Sequence, residues 1–104
     1  MQAFLVTEER VREALRQLYD PELGVNVVDL GLIYGIDVQG SLVNVTMTLT
    51  TPSCPLHSSL TEAVDEAIRR YVPGVEAVHV DLVWEPAWSP DRISPAGRAE
   101  LGWV

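Results

Sequence analysis

Apolar residues recur along this chain with two different periods, and the switching between them lays out the elements. Val11, Ala14, Leu15 and Leu18 share one helical face. Thr7 ahead of Glu8 and Glu9 supplies a cap and places acids at the positive end of that helix. Asp20-Pro21 stops it, because proline disfavours helical geometry in the residue before it. The pattern predicts a first helix from about Glu8 to Tyr19. From Asp20 to Gly31 the chain is apolar enough to pack but is broken by Pro21, Gly24 and Gly31, which predicts a structured loop. Leu32 to Val38 and Leu42 to Thr50 read as strands joined across Gln39-Gly40 in an antiparallel hairpin. In the second strand Val43, Val45, Met47 and Leu49 point one way, and Asn44, Thr46, Thr48 and Thr50 the other.

A loop over Thr51-Pro-Ser-Cys-Pro55 leads to a second helix with Leu56, Leu60, Ala63, Val64, Ala67, Ile68 and Tyr71 on one stripe. Its start has two readings: Pro55 as first residue with Cys54 at the cap, or a capping box at Ser59-Leu-Thr-Glu62. Pro73-Gly74 closes it, and Val75 to Trp84 alternates as a third strand through Val78, Val80, Leu82 and Trp84. A Pro- and Trp-rich tail over residues 85–104 follows, with a short helix capped by Ser94 and begun by Pro95. The order α-β-β-α-β-α predicts an α+β two-layer sandwich, a small mixed sheet with helices on one face.

Composition narrows the classes. The chain has 104 residues and a net charge of −8, with 47% hydrophobic residues. That length fits one domain spanning residues 1–104. The acidic balance argues against a phosphate-neutralising nucleic-acid binder and equally disfavours an anionic membrane surface. No apolar run approaches the ~18 residues of a spanning helix, and the first residues lack the layout of a secretion signal. Cys54 is the only cysteine, so no internal disulfide forms, which fits a reducing compartment. A cytoplasmic protein is expected.

Cys54 is the first candidate for chemistry. As an isolated residue it could be a small buried hydrophobe. At the entry to a helix, between two prolines, it could equally be a functional thiolate, favoured by the helix dipole. Nearby acids oppose that effect, so sequence leaves the net direction open. His57 stands three residues on, and sulfur with imidazole suits zinc or iron; two ligands make only half a site, and a solvated first-turn histidine is the plainer reading. Asp20, Glu22 and Asp29 cluster before the first strand, either as paired carboxylates or as turn-forming acids beside Pro and Gly. Thr50 and Thr51 could bind a ligand or cap the second helix. Of the tail aromatics, Trp84 is expected to pack, while Trp88 and Trp103 could pack or meet a partner.

The segments Asp20-Pro-Glu-Leu-Gly-Val-Asn-Val-Val-Asp-Leu-Gly-Leu-Ile-Tyr34, Met47-Thr-Leu-Thr-Thr-Pro-Ser-Cys-Pro55 and Val83-Trp-Glu-Pro-Ala-Trp-Ser-Pro-Asp-Arg-Ile-Ser94 together resemble the metal–sulfur cluster biosynthesis family of the SufT and PaaD type. The resemblance runs over nearly the whole chain. It implies an iron–sulfur-assembly-like domain and a non-enzymatic role in maturing iron–sulfur proteins. It also implies one site around Cys54, formed with Asp20, Glu22, Asp29, Thr50 and Thr51. Partners would be the assembly machinery and client apoproteins. PaaD-like members carry a C-terminal extension with further cysteines that this chain lacks, which favours the SufT-like role over maturation of a phenylacetyl-CoA oxygenase. One cysteine cannot hold a cluster that takes four ligands. A labile cluster or iron bridged across a homodimer, with His57 as a further metal ligand, is one expectation. Two rival classes stand beside this reading: a cysteine-dependent enzyme using His57 or His79 as base, and an adaptor docking through its tryptophan tail with Cys54 incidental.

Overall fold

In the computed structural model, which describes residues 5–20, 23–49 and 57–102, helix α1 (Glu8–Leu15) begins at its expected cap. The Thr7 hydroxyl accepts from the Arg10 N–H at 3.1 Å, and Glu8 and Glu9 fill the first turn. The helix ends at Leu15, short of the expected Tyr19. The Gln17 and Leu18 N–H groups bond to Ala14 and Leu15, tightening the last turn. Tyr19 then makes an antiparallel bridge to Asn26. That bridge requires extended backbone and overrides the helical spacing.

Strands β1 (Ile33–Gln39) and β2 (Leu42–Met47) form the predicted antiparallel hairpin. Gly40, at φ +63°, opens its two-residue loop, the position where a type II′ turn needs a positive φ. Strand β3 (Ala77–Leu82) pairs parallel to β2 in a sheet of order β1-β2-β3. Helix α2 (His57–Tyr71) is therefore the crossover between two parallel neighbours. Ser59 lies inside α2 rather than ahead of it, so the capping-box start is set aside; the alternative at Cys54-Pro55 lies outside the described residues. β2 ends at Met47, before the expected Thr50: the Thr48 N–H still bonds to the Leu32 carbonyl at 2.8 Å, but the Leu32 N–H turns away to Val27 O at 3.1 Å and the ladder stops.

Val43, Val45 and Met47 of β2 are buried in one core with Val11 and Leu15 of α1 and Leu60, Val64 and Ile68 of α2; α1 lies against β1 and α2 against β3. Two expectations about that layer fail. Tyr71 is exposed, and Val72, one position on, takes its place in the core, since four-residue spacing from Ile68 follows the helical stripe better. Trp84, expected to pack, is 38% exposed, because β3 ends at Leu82 and the strand's alternation no longer directs it inward. The loop from Leu23 to Leu32 packs as predicted, with Val25, Val27, Leu30 and Leu32 buried.

Helix α3 (Pro95–Leu101) has its predicted cap: the Ser94 hydroxyl accepts from the Gly97 N–H at 3.1 Å, and Pro95 starts the helix. It packs against the loop that precedes β1, joined there by a 3₁₀ turn at Pro90–Arg92 and by buried Ile93. Among the described residues, no helix is long and apolar enough to cross a membrane.

Candidate functional site

Three backbone hydrogen bonds tie the acidic loop to the exit of β2. The Thr48 N–H donates to Leu32 O at 2.8 Å, the Leu32 N–H to Val27 O at 3.1 Å, and the Val27 N–H to Leu18 O at 3.0 Å. The segment after α1, the start of β1 and the carboxyl end of β2 thus share one end of the molecule. That is the end from which the chain runs on through Thr50, Thr51 and Cys54 to α2.

Asp20 is buried there, at 6% exposure. Its Oδ1 accepts from the Leu23 N–H at 3.0 Å, its carbonyl accepts from the Gly24 N–H at 2.8 Å, and its own N–H donates to Val25 O at 3.0 Å. This is the turn-forming role of an aspartate beside Pro and Gly, and it fixes the loop's backbone. Gly24, at φ +71°, completes the bend.

Asp29 faces the tail. Its Oδ2 accepts from Asn26 Nδ2 at 2.7 Å, and its Oδ1 accepts from the Ser94 hydroxyl at 2.9 Å. The Ser94 N–H also donates to the Asp29 carbonyl at 2.7 Å. Both carboxylate oxygens therefore hold the cap of α3 against the loop. Trp88 adds a bond from Nε1 to Leu30 O at 2.7 Å, which places it in the packing role rather than on a free surface. Tyr34 donates its hydroxyl to Pro86 O at 2.7 Å, and the Arg92 guanidinium lies 4.6 Å from the centre of its ring. A shallow groove lined by Gly31, Ile33, Tyr34, Pro86 and Arg92 runs between them.

Cys54, Glu22, Thr50, Thr51 and Trp103 lie outside the described residues. His57 is described as the first residue of α2. His79 lies on β3, exposed, with Nε2 2.9 Å from Asp81 Oδ1. Among the described residues no group of three His, Cys, Asp or Glu is placed to hold a metal.

Thr48 is a residue that pattern reading did not single out. It is 1% exposed, and its Oγ1 has no hydrogen-bond partner among the described residues. Alternation placed it only on the face opposite Val43, Val45 and Met47. Only the three-dimensional closure of this end of the sheet shows it buried, two residues before Thr50. A buried hydroxyl without a partner costs about 1–3 kcal/mol and is an uncommon feature of a folded protein.

The chain is similar to proteins with a shared theme. The family model described as "Iron-sulfur cluster assembly protein" matches residues 8–81. A protein of Porphyromonas gingivalis named "Fe-S protein maturation auxiliary factor" is 47% identical over 102 residues, covering 97% of this chain and 96% of that one. The "Fe-S protein maturation auxiliary factor SufT" of Staphylococcus aureus is 36% identical, covering 80% of this chain and 94% of its own length. Among solved structures, a "Domain of Unknown Function DUF59" from Bacillus anthracis superposes with a TM-score of 0.88 at 34% identity, covering 93% of this chain and 92% of that one.

Proposed function

Because the chain belongs to the iron–sulfur cluster assembly protein family, we propose that it is a cytoplasmic maturation factor of the SufT type, with no catalytic turnover of its own. Its cargo is iron, sulfur or a labile cluster, handled through Cys54 and passed between the assembly machinery and client apoproteins. One observation carries this reading: the nearly end-to-end match to a protein named as a maturation factor, 97% of this chain against 96% of that one.

The geometry supports placing the cargo at the end where the acidic loop meets the exit of β2. Cys54 supplies the thiolate. Asp20 and Glu22 set the negative potential around it and attract a cation, and Asp20 also holds its loop in shape. Thr50 and Thr51 position the segment that bears the thiol. Asp29, with both oxygens engaged, anchors the loop to α3. His57 is a second donor for a metal.

A single cysteine leaves a cluster's coordination incomplete, since clusters take four protein ligands in the usual case. The missing ligands then come from a client, an assembly partner or a second copy of the chain. Incomplete coordination suits brief contact and release better than storage.

Anaerobic reconstitution with iron and sulfide, on wild type and Cys54→Ala, tests this. Sulfur-to-iron charge-transfer bands and bound iron are expected in the wild type and lost in the variant. Bound iron retained in full by Cys54→Ala would move the cargo away from the thiol.

A further inference from the structure

The two edges of the sheet are built differently. On β1 the register shifts between Ile33 and Gly35, a bulge of the kind that blunts an edge against pairing. β3 runs in unbroken register with β2 from Ala77 to Leu82. It holds no proline and no lysine, and no strand among the described residues pairs with its outer side. Exposed edges are normally protected by such devices.

The hydrogen bonding fixes which groups that open side presents. The Ala77 N–H points to Ser41 O and the Val83 N–H to Met47 O, so odd-numbered residues turn their backbone groups toward β2. By strand alternation, Val78, Val80 and Leu82 turn theirs outward. In an antiparallel pairing of two such edges about Val80, Val80 meets Val80 of the partner subunit, and Val78 meets Leu82 of the partner subunit. Every outward N–H and C=O of β3 then finds a mate, which the registers shifted along the strand do not achieve.

The polar side chains on the solvent face agree with this register: His79 Nε2 and Asp81 Oδ1, 2.9 Å apart within one strand, are complementary hydrogen-bonding groups. His79 and Asp81 stand on the solvent face, with side chains 67% and 56% exposed. Pairing about Val80 sets His79 opposite Asp81 of the partner subunit, and Asp81 opposite His79 of the partner subunit. Both are non-hydrogen-bonded positions, where opposed side chains come closest.

We propose that the outer edge of β3 is a self-pairing surface, on which a second copy of this chain docks antiparallel to make a continuous six-stranded sheet. The interface is isologous, with its two-fold axis perpendicular to the sheet at Val80, and both helical layers lie on the same face. The proposal is independent of how iron or sulfur is handled.

Sedimentation velocity on the full chain over a concentration series, at ~0.15 M ionic strength to screen the net charge, tests it with three proteins. Wild type is expected to dimerise. H79D places like charges opposite each other and is expected to shift the equilibrium to monomer. The double variant H79D/D81K places opposite charges at the facing positions and is expected to restore the dimer. Far-UV circular dichroism checks that the exposed substitutions leave the fold intact, and amide exchange at Val78, Val80 and Leu82 is expected to slow as wild-type concentration rises. A wild type that stays monomeric up to ~1 mM, the range of the weakest specific contacts, would overturn the proposal. So would a dimer indifferent to H79D, a double variant that fails to restore it, or exchange at these amides that ignores concentration.

Discussion

At the residue scale, Thr48 and Asp29 show two opposite fates of a polar side chain inside this domain. The Thr48 hydroxyl is buried without a partner among the described residues. Replacing it by an isosteric apolar group removes a desolvation cost and loses no bond. Thr48→Val is therefore expected to raise the unfolding free energy by about 1 kcal/mol, measured by urea denaturation at equilibrium. A fall in stability would mean that the hydroxyl has a partner outside the described residues. Asp29 is the reverse case, with its carboxylate accepting from Asn26 and Ser94. Asp29→Ala leaves those donors unanswered and frees the cap of α3, so a loss of about 2 kcal/mol is expected in the same assay. Neither fate was legible in the sequence. Asp29 looked like a third member of an acidic cluster because its partner, Ser94, is sixty-five positions away, and Thr48 was not singled out because alternation reports a phase and not what covers it.

At the scale of elements, irregular parts of the chain are as closely packed as the helices and strands. The loop before β1 and the tail meet at Gly31 and Gly97. A Cβ on Gly31, already at φ +78°, would lie 2.3 Å from the Arg92 carbonyl oxygen, and one on Gly97 would lie 2.8 Å from Ile93 Cγ2 and 3.0 Å from the Asp29 carbonyl oxygen. Gly31→Ala is expected to cost more than Gly97→Ala, because it adds a disfavoured backbone conformation to a backbone clash. Gly97→Ala is expected to cost about 1–3 kcal/mol, the range for overpacking. Thermal unfolding of both variants beside Gly24→Ala, whose Cβ would meet nothing within 4 Å but whose φ is also positive, separates conformation from contact. Element types and order were readable from periodicity, as were the caps at Thr7 and Ser94, since these depend on local chemistry. The boundaries were not. α1 gives way to the Tyr19–Asn26 bridge, and β3 stops before Trp84, because partners distant in sequence decide where each element ends.

At the scale of the whole molecule, backbone bonds close one end of the sheet onto the loop before β1. The acidic loop and the carboxyl end of β2 are joined there, and among the described residues no strand pairs with the outer side of β3. The segments around Asp20, Cys54 and Trp88 carried the family resemblance from sequence alone, and the match over residues 8–81 agrees with it. The convergence of loop and strand exit could not be read that way, since it rests on Leu32 lying between Val27 and Thr48. The central claim is that this chain matures iron–sulfur proteins through Cys54. Its most direct test is complementation of a Staphylococcus aureus strain lacking SufT, a relative 36% identical to this chain. The measurement is the activity of an iron–sulfur-dependent enzyme in extracts, normalised to its protein level. Wild type is expected to restore that activity, and Cys54→Ala, expressed to the same level, is expected to leave it at the value of the empty strain. Equal restoration by Cys54→Ala would contradict the claim.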